Sequence, residues 1–169
     1  RQTLDDGTYQ YETGYVYNLS GALVEETYPS GRKVGNVLDV SGDLSVVKSK
    51  KNATSGPYHN YAFNFVYNAA GAVTSMELGN YRYESTAFNS RLQPTQIALG
   101  VTQGSTGLLD LDYTYGTTNN NGNVLSQTNT VLTAGSNPGF TAVQNYSYDS
   151  LNRLSSADEK PQGWTDANC

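Results

Sequence analysis

The chain is too poor in reactive side chains to suggest an ordinary active site. Its 169 residues include one histidine, one cysteine, one tryptophan and one methionine. The histidine, His59, sits in a polar loop beside Pro57-Tyr58 with no carboxylate at local spacing. Neither a nucleophile–base triad nor a usual metal site can be assembled around it, and no cofactor is implied. A lone cysteine excludes an internal disulfide framework and any multi-cysteine metal centre. At the last position, Cys169 reads as a thiol placed there by truncation. Arg1 in place of an initiating Met is likewise expected of a segment cut from a longer protein. Charged residues make up 15%, against roughly a quarter in typical soluble domains. The net charge of −5 offers nothing to a nucleic acid. No apolar run approaches the roughly 18 residues needed for a spanning helix, and no signal peptide heads the chain.

Glycine and tyrosine are plentiful instead, with 17 and 14 copies. Five Tyr-x-Tyr pairs occur: Tyr9/Tyr11, Tyr15/Tyr17, Tyr81/Tyr83, Tyr113/Tyr115 and Tyr146/Tyr148. Random placement would produce about one, so strand-period alternation is enforced. Residues two apart share a strand face, and each pair therefore sets two rings side by side. Phe65/Tyr67 is a sixth instance. Frequent Tyr, Val and Leu at this spacing argue against disorder despite a mean hydropathy of −0.54. The length is enough to bury a core of ordinary size in one domain.

Turn chemistry follows the pairs. Asn18, Asn68 and Asp149 suit the first position of a type I turn, and Gly21 and Gly71 the last, where positive φ is often required. Asn152 fills that last position in the final copy. An apolar residue, Leu23, Val73 or Leu154, then restarts a strand. Asn121-Gly122 is a strong hairpin signal after Tyr113/Tyr115. Phe88-Asn89-Ser-Arg91-Leu92 reads as a degenerate copy without glycine, closing at Arg91. Tyr28-Pro29-Ser30-Gly31 fits a type I turn; Asp6-Gly7, Ser41-Gly42-Asp43, Gly79-Asn80 and Gly135–Gly139 are further breaks. Between them run stretches such as Lys33–Val40, Leu44–Val47, Tyr61–Tyr67 and Asn123–Leu132. About a dozen short strands are expected, an all-β antiparallel meander of hairpins. Helical periodicity is absent, although Ser156–Glu159 could cap a single turn before Pro161.

These units resemble the YD repeats of the RHS family, whose usual form is Tyr-Asp-x-x-Gly-Arg-Leu. Tyr148-Asp149-Ser-Leu-Asn152-Arg153-Leu154 matches nearly in full, with Asn in place of glycine. Tyr17-Asn18-Leu-Ser-Gly21 and Tyr67-Asn68-Ala-Ala-Gly71 match with Asn for Asp, and Ala stands where Arg is usual. The resemblance covers most of residues 9–157. It implies hairpins wound into a curved or spiralling sheet, here a segment of a hollow shell. It implies a secreted or cell-surface setting as well. Bacterial members enclose a toxin domain, and animal teneurins carry a similar barrel on the cell surface. Residues 1–157 are then a single hairpin array and 158–169 a tail leading into the next repeat. Partners would be neighbouring repeats or further copies meeting at sheet edges, and a C-terminal toxin domain in the parent. Two family features are missing. Shells of this kind need chains far longer than this one, and no Asp-Pro is present for the self-cleavage motif of many toxin-bearing members.

Several residues invite other readings. Asp110 and Asp112 share a strand face, where they could bind Ca²⁺ or act as acid and base, or simply face solvent while Leu109 and Leu111 turn inward. Asp5/Asp6 and Asp158/Glu159 are the other carboxylate clusters. Lys48-Ser-Lys50-Lys51 could hold an anionic head group or, more simply, guard a strand edge against pairing. Tyr15, Tyr81, Tyr83, Tyr113, Tyr115 and Tyr146 could stack on sugar rings or could stabilise the sheet as cross-strand pairs. Of three N-x-Ser/Thr sequons, at Asn18, Asn52 and Asn145, Asn52 is the best glycan acceptor. A scaffold is the leading functional expectation, with a glycan- or partner-binding adhesion module behind it.

Overall fold

A computed structural model describes residues 2–5, 7–52, 54–133, 135–136 and 138–161. The expectations attached to Arg1, Asp6, Cys169 and the rest of 162–169 fall outside the described residues. Thirteen strands follow in chain order through one antiparallel sheet: β1 (Gln2–Asp5), β2 (Gln10–Tyr17), β3 (Leu23–Thr27), β4 (Lys33–Leu38) and β5 (Leu44–Lys50) come first. After them run β6 (His59–Tyr67), β7 (Val73–Leu78), β8 (Tyr83–Phe88), β9 (Pro94–Gly100) and β10 (Leu109–Thr114). The last three are β11 (Ser126–Val131), β12 (Phe140–Tyr148) and β13 (Leu154–Pro161). The all-β meander read from the Tyr-x-Tyr and Asx-x-x-Gly signals is the observed architecture.

Alternation explains the strands locally. In β12, Tyr146 and Tyr148 are half-buried while Asn145 and Ser147 are exposed. In β6, Phe63, Phe65 and Tyr67 turn inward and Asn64 and Val66 outward. A period of two sorts side chains onto opposite faces.

The chain forms two compact units, Arg1–Phe65 with Met76–Tyr81, and Val66–Ser75 with Arg82–Cys169. Within each, the strands touch only their neighbours in the sheet. The core of ordinary size suggested by the length is therefore not present. Among the described residues only Ala98, 2% exposed, and Ala142, 6% exposed, are buried apolar side chains. Ser49, Ser75 and Glu77 are buried as well, so polar groups outnumber apolar ones in the interior. Without a second layer to pack on, neither face of a sheet can be fully removed from water.

In the second unit the register makes the two faces different. Ile97 lies opposite Leu111, and Leu99 opposite Leu109, on the same side as Tyr113. The other side carries Gln96 opposite Asp112, with Asp110 opposite Ala98 and Thr130. Hydroxyl pairs tie that polar side together, Thr114 to Ser126 at 2.6 Å and Thr130 to Thr141 at 3.4 Å.

Ser156–Glu159 is extended, in keeping with the absence of helical periodicity, because β13 pairs along β12 as far as Ala142 opposite Pro161. Residues 157 and 158 both lie within that strand. Three expectations need correction. Tyr81 is not a strand partner of Tyr83: it lies in the β7–β8 connection with φ of 60°. Tyr115 stands one residue beyond β10, and β11 starts at Ser126 rather than Asn123.

Candidate functional site: the repeated reversal and the tyrosine faces

Asn18, Asn68 and Asp149 each open a reversal of the same geometry. The N–H of Asn18 donates to the carbonyl of Ala22 at 3.0 Å, and the N–H of Gly21 to the carbonyl of Asn18 at 3.1 Å. The corresponding pairs are 2.9 and 3.0 Å at Asn68–Ala72 and again at Asp149–Arg153. A three-residue loop of this kind is a type I turn followed by one left-handed residue. That residue is Gly21 (φ 84°), Gly71 (φ 80°) or Asn152 (φ 59°). Register shifts between Val16 and Tyr17 and between Ser147 and Tyr148 mark the accompanying bulge.

The opening side chain secures the loop. Asn18 Oδ1 accepts from the N–H groups of Ser20 and Ala22, and Asn68 Oδ1 from those of Ala70 and Ala72. Asp149 Oδ1 does the same for Leu151 and Arg153, both at 2.9 Å. Arg153 also donates its Nε to Asp149 Oδ2 at 2.7 Å. The Arg153 backbone N–H, and then its guanidinium, hold the Asp149 carboxyl below its ordinary range.

Three further connections adopt this backbone: Tyr28–Arg32, Asp39–Asp43 and Asn89–Gln93. The Asp39 copy escapes a search led by tyrosine because Leu38 precedes it. Its signal is Asp39-x-x-Gly42-x-Leu44, the spacing of Asn18, Gly21 and Leu23. In the Asn89 copy the left-handed residue is Leu92 (φ 59°), not Arg91 as the sequence suggests. Five of the six carry an Asx cap, and those five follow β2, β4, β6, β8 and β12. Alternate connections of a meander fall at the same end of its strands. Connections at the opposite end vary in length, and the member that shares this backbone, Tyr28–Arg32, has only a 3.4 Å bond from Arg32 N–H to Ser30 Oγ.

Asn121-Gly122 is not itself the hairpin turn. Thr114 pairs with Ser126, leaving 115–125 as a long loop in which both residues are exposed. Gly122 N–H donates to Asn120 Oδ1, and Asn123 N–H to Asn121 Oδ1. Asn152 gains a second role there. Its Oδ1 accepts from Nδ2 of Asn121 at 2.9 Å and of Asn123 at 3.1 Å.

Most tyrosines considered for sugar stacking are engaged by the sheet. Tyr115 Oη donates to the Pro94 carbonyl and Tyr148 Oη to that of Val124, both at 2.8 Å. Tyr146 Oη donates to Gln144 Oε1 at 2.6 Å. Tyr15, Tyr83, Tyr113, Tyr115 and Tyr146 are half-buried; burial raises the Tyr113 and Tyr115 phenols above their ordinary range. Tyr113, Tyr146 and Tyr148 line a hollow of about 240 Å³ with Val124, Gln127 and Leu154. Tyr17 and Tyr67 flank their turns at strand ends, Tyr17 exposed and Tyr67 half-buried. Tyr81 is exposed, as are Tyr9 and Tyr11, whose centroids are 6.4 Å apart.

The backbone path can be compared with solved structures. The crystal structure of TcdB2-TccC3 without its hypervariable C-terminal region overlays with a TM-score of 0.64 at 17% identity, covering 93% of this chain and 9% of that one. For TcdB2-TccC3-Cdc42 the score is 0.63 at 18% identity, over 92% and 9% of the two chains. The Photorhabdus luminescens Tc holotoxin pore, with a mutation in TccC3, scores 0.61 at 17% identity, over 90% and 9%. This is the fold of an RHS-repeat shell segment. The present chain spans about a tenth of the length of those RHS chains. No protein-family model and no curated protein matches the sequence.

Among the described residues, His59 and the Asp110/Asp112 pair lie on separate strands of this RHS fold. His59 is exposed as the first residue of β6, opposite Ser49, rather than in a loop. Asp110 accepts from Gln96 Nε2 at 2.8 Å; burial and then the Asp110 charge raise the Asp112 carboxyl above its ordinary range. Leu109 and Leu111 are half-buried, and no cluster of three or more His, Cys, Asp or Glu able to hold a metal occurs among the described residues. Lys48 and Lys50 cannot be edge guards, because β5 is paired on both sides, by β4 and β6. Asn52 is exposed, its Oδ1 accepting from Thr54 N–H and Oγ1 at 3.0 and 2.9 Å.

Proposed function

We propose that this chain is a stretch of wall from a larger RHS-type shell, a non-catalytic scaffold of a secreted or cell-surface bacterial protein. One observation carries the reading: an antiparallel sheet with Asx-capped reversals at alternate connections overlays on over nine-tenths of its length with about a tenth of a TcdB2-TccC3 chain. A wall explains why the sheet has no core of its own. Its hairpins are stabilised by neighbours in the sheet rather than by a second layer. The partners that follow are adjoining repeats or further copies, which meet the backbone groups of edge strands, and a toxin domain enclosed by the completed parent.

Light scattering on the isolated 169-residue chain tests this. Concentration-dependent association, abolished when a proline is placed at Ser156 in β13, is the expected result. A strictly monomeric chain at high concentration overturns it.

Exposed rings support a second reading, recognition of glycans by tyrosine faces, centred on Tyr81 and the Tyr9–Tyr11 pair. Silence on a glycan array with the chain intact removes this reading and leaves the wall. Asn52, exposed and in sequon context, is the position to inspect for a mass increase in a glycosylating host.

A further inference from the structure

The face of the first unit formed by β3, β4 and β5 carries positive charge that the protein leaves unpaired. Register sets Glu25, Gly35 and Lys48 side by side across these strands, with Thr27, Lys33 and Lys50 in the next row. Gly35 is the floor. A Cβ there would meet Lys48 Cε at 3.4 Å and Tyr58 Cε1 at 3.7 Å, ordinary contact distances, so both side chains lie over this residue. Tyr58 reaches from the end of the 51–58 connection across to β3, where its Oη donates to Glu25 Oε2 at 2.6 Å.

Both flanking ammonium groups sit by the same ring, Lys48 Nζ at 5.1 Å and Lys50 Nζ at 5.2 Å from its centroid. A phenol donating to a carboxylate has an electron-enriched ring, which strengthens the attraction for cations. Two cations drawn to one ring nevertheless repel each other. The single nearby carboxylate is already engaged: Glu25 accepts from Lys33 Nζ and from Tyr58, and it acts on Lys50 only at longer range. Among the described residues neither Lys48 nor Lys50 has an ion-pair partner. Three ammonium groups against one carboxylate leave a double positive charge, half-buried, on a chain whose net charge is −5. Since β5 is an interior strand, this charge has no part in guarding an edge.

We propose that Lys48, Lys50 and the Tyr58 ring over Gly35 form a binding site for a doubly charged oxyanion, a sulfate or phosphate group. The match is one of charge and reach. Two flexible ammonium donors from one strand face each lie about 5 Å from the same ring centroid, and a tetrahedral dianion held by both would cancel their repulsion. The free anion carries both charges; a sulfate ester on a saccharide presents three of the same oxygens with a single charge.

NMR titration of the chain with inorganic sulfate, and separately with a sulfated disaccharide, tests the site. Saturating shifts confined to Lys48, Lys50, Tyr58 and Gly35 are expected, with affinity reduced about tenfold or more in the Lys48→Gln/Lys50→Gln double variant. Lys51→Gln is expected to bind as the parent does. Tighter binding of the disaccharide identifies the ester as the natural form; equal affinity identifies the free anion. Shifts that never saturate, or equal losses in the Lys51→Gln chain, overturn the proposal. A melt gives an independent readout: the double variant should gain stability without sulfate and lose the extra stabilisation that sulfate confers on the parent. Equal stabilisation of both chains is the general effect of an excluded salt and also overturns it.

Discussion

In the unit built from Arg1–Phe65 and Met76–Tyr81, strands are tied across their faces by charges and rings. Arg32 donates to buried Ser49 at 2.9 Å and lies 5.2 Å from the Tyr61 ring; on the opposite face Tyr58 reaches from the 51–58 connection to Glu25 on β3. In the other unit amides and phenols predominate, with the carboxylates of Asp110 and Glu159 accepting from Gln96 and Gln144. Asn89 donates to Gln93, Gln93 and Asn120 exchange two bonds, and Asn121 and Asn123 hold Asn152. Asx-capped reversals nevertheless share one backbone geometry in both. What repeats is therefore the backbone of the reversal, while the chemistry that joins neighbouring strands is free to differ. A match at under 20% identity is then unsurprising, because the reversal constrains only two or three positions in each hairpin.

The comparison can be tested first where both units should respond alike. A Cβ at Gly79 would lie 2.2 Å from the Asn60 carbonyl oxygen, and one at Gly100 would lie 2.4 Å from that of Ser105. Neither obstacle is a flexible side-chain end, so Gly79→Ala and Gly100→Ala are each expected to cost about 3 kcal/mol or prevent folding, read by urea denaturation. Near-neutral behaviour at either site would mean that close backbone approach is not needed in that unit.

Removal of a cap comes next. Asn68→Ala strips one acceptor from two backbone N–H groups and should cost about 1 kcal/mol in the same assay. The left-handed positions then separate two uses of one backbone. Leu92→Gly should stabilise by about 1 kcal/mol, because a branched side chain is strained at φ of 59°. Asn152→Gly should fail to stabilise, since its amide oxygen holds Asn121 and Asn123. Equal gains at both positions would remove the amide ties from the account.

The smallest effects concern charge. Tyr58 is pushed up to about 12 by its bond to Glu25, with burial second. A raised phenol contributes stability that is intact below about 10 and fades as pH rises through about 12. Glu25 is lowered, first by Lys33 and then by Tyr58; its contribution is present above 4.5 and fades as pH falls through its folded value. Tyr58→Phe should therefore flatten the alkaline limb of the stability profile. Raising sodium chloride to about 1 M should change amide hydrogen exchange in β3–β5 more than in β8–β11, because both the Lys33–Glu25 attraction and the Lys48–Lys50 repulsion are screened there. A uniform change would erase the distinction between the units.

Much of this architecture can be read from local spacing, since a turn and the strands beside it are written in adjacent residues. Asn18-x-x-Gly21 and Asp149-x-x-Asn152 suffice to locate their reversals. Reading failed where a cue was missing or duplicated. Leu38 in place of tyrosine left the Asp39 copy legible only as a break at Ser41-Gly42-Asp43, and a Tyr-x-Tyr pair at 81 and 83 straddles a turn instead of lying along a strand. The Tyr58–Glu25 bond joins residues 33 apart, and no local period reports on a contact at that distance. The absence of a core could not be inferred from composition either. Half-buried tyrosines look the same in a sequence whether or not another layer lies above them.

Contacts limited to sequential neighbours carry one last consequence, for how such a sheet changes in length. Excising a hairpin, or duplicating one, creates no vacancy beyond the seam where two strands are rejoined. Length can thus be adjusted in increments of a strand pair, much as a fence is extended by panels, with no redesign of the remaining stretch.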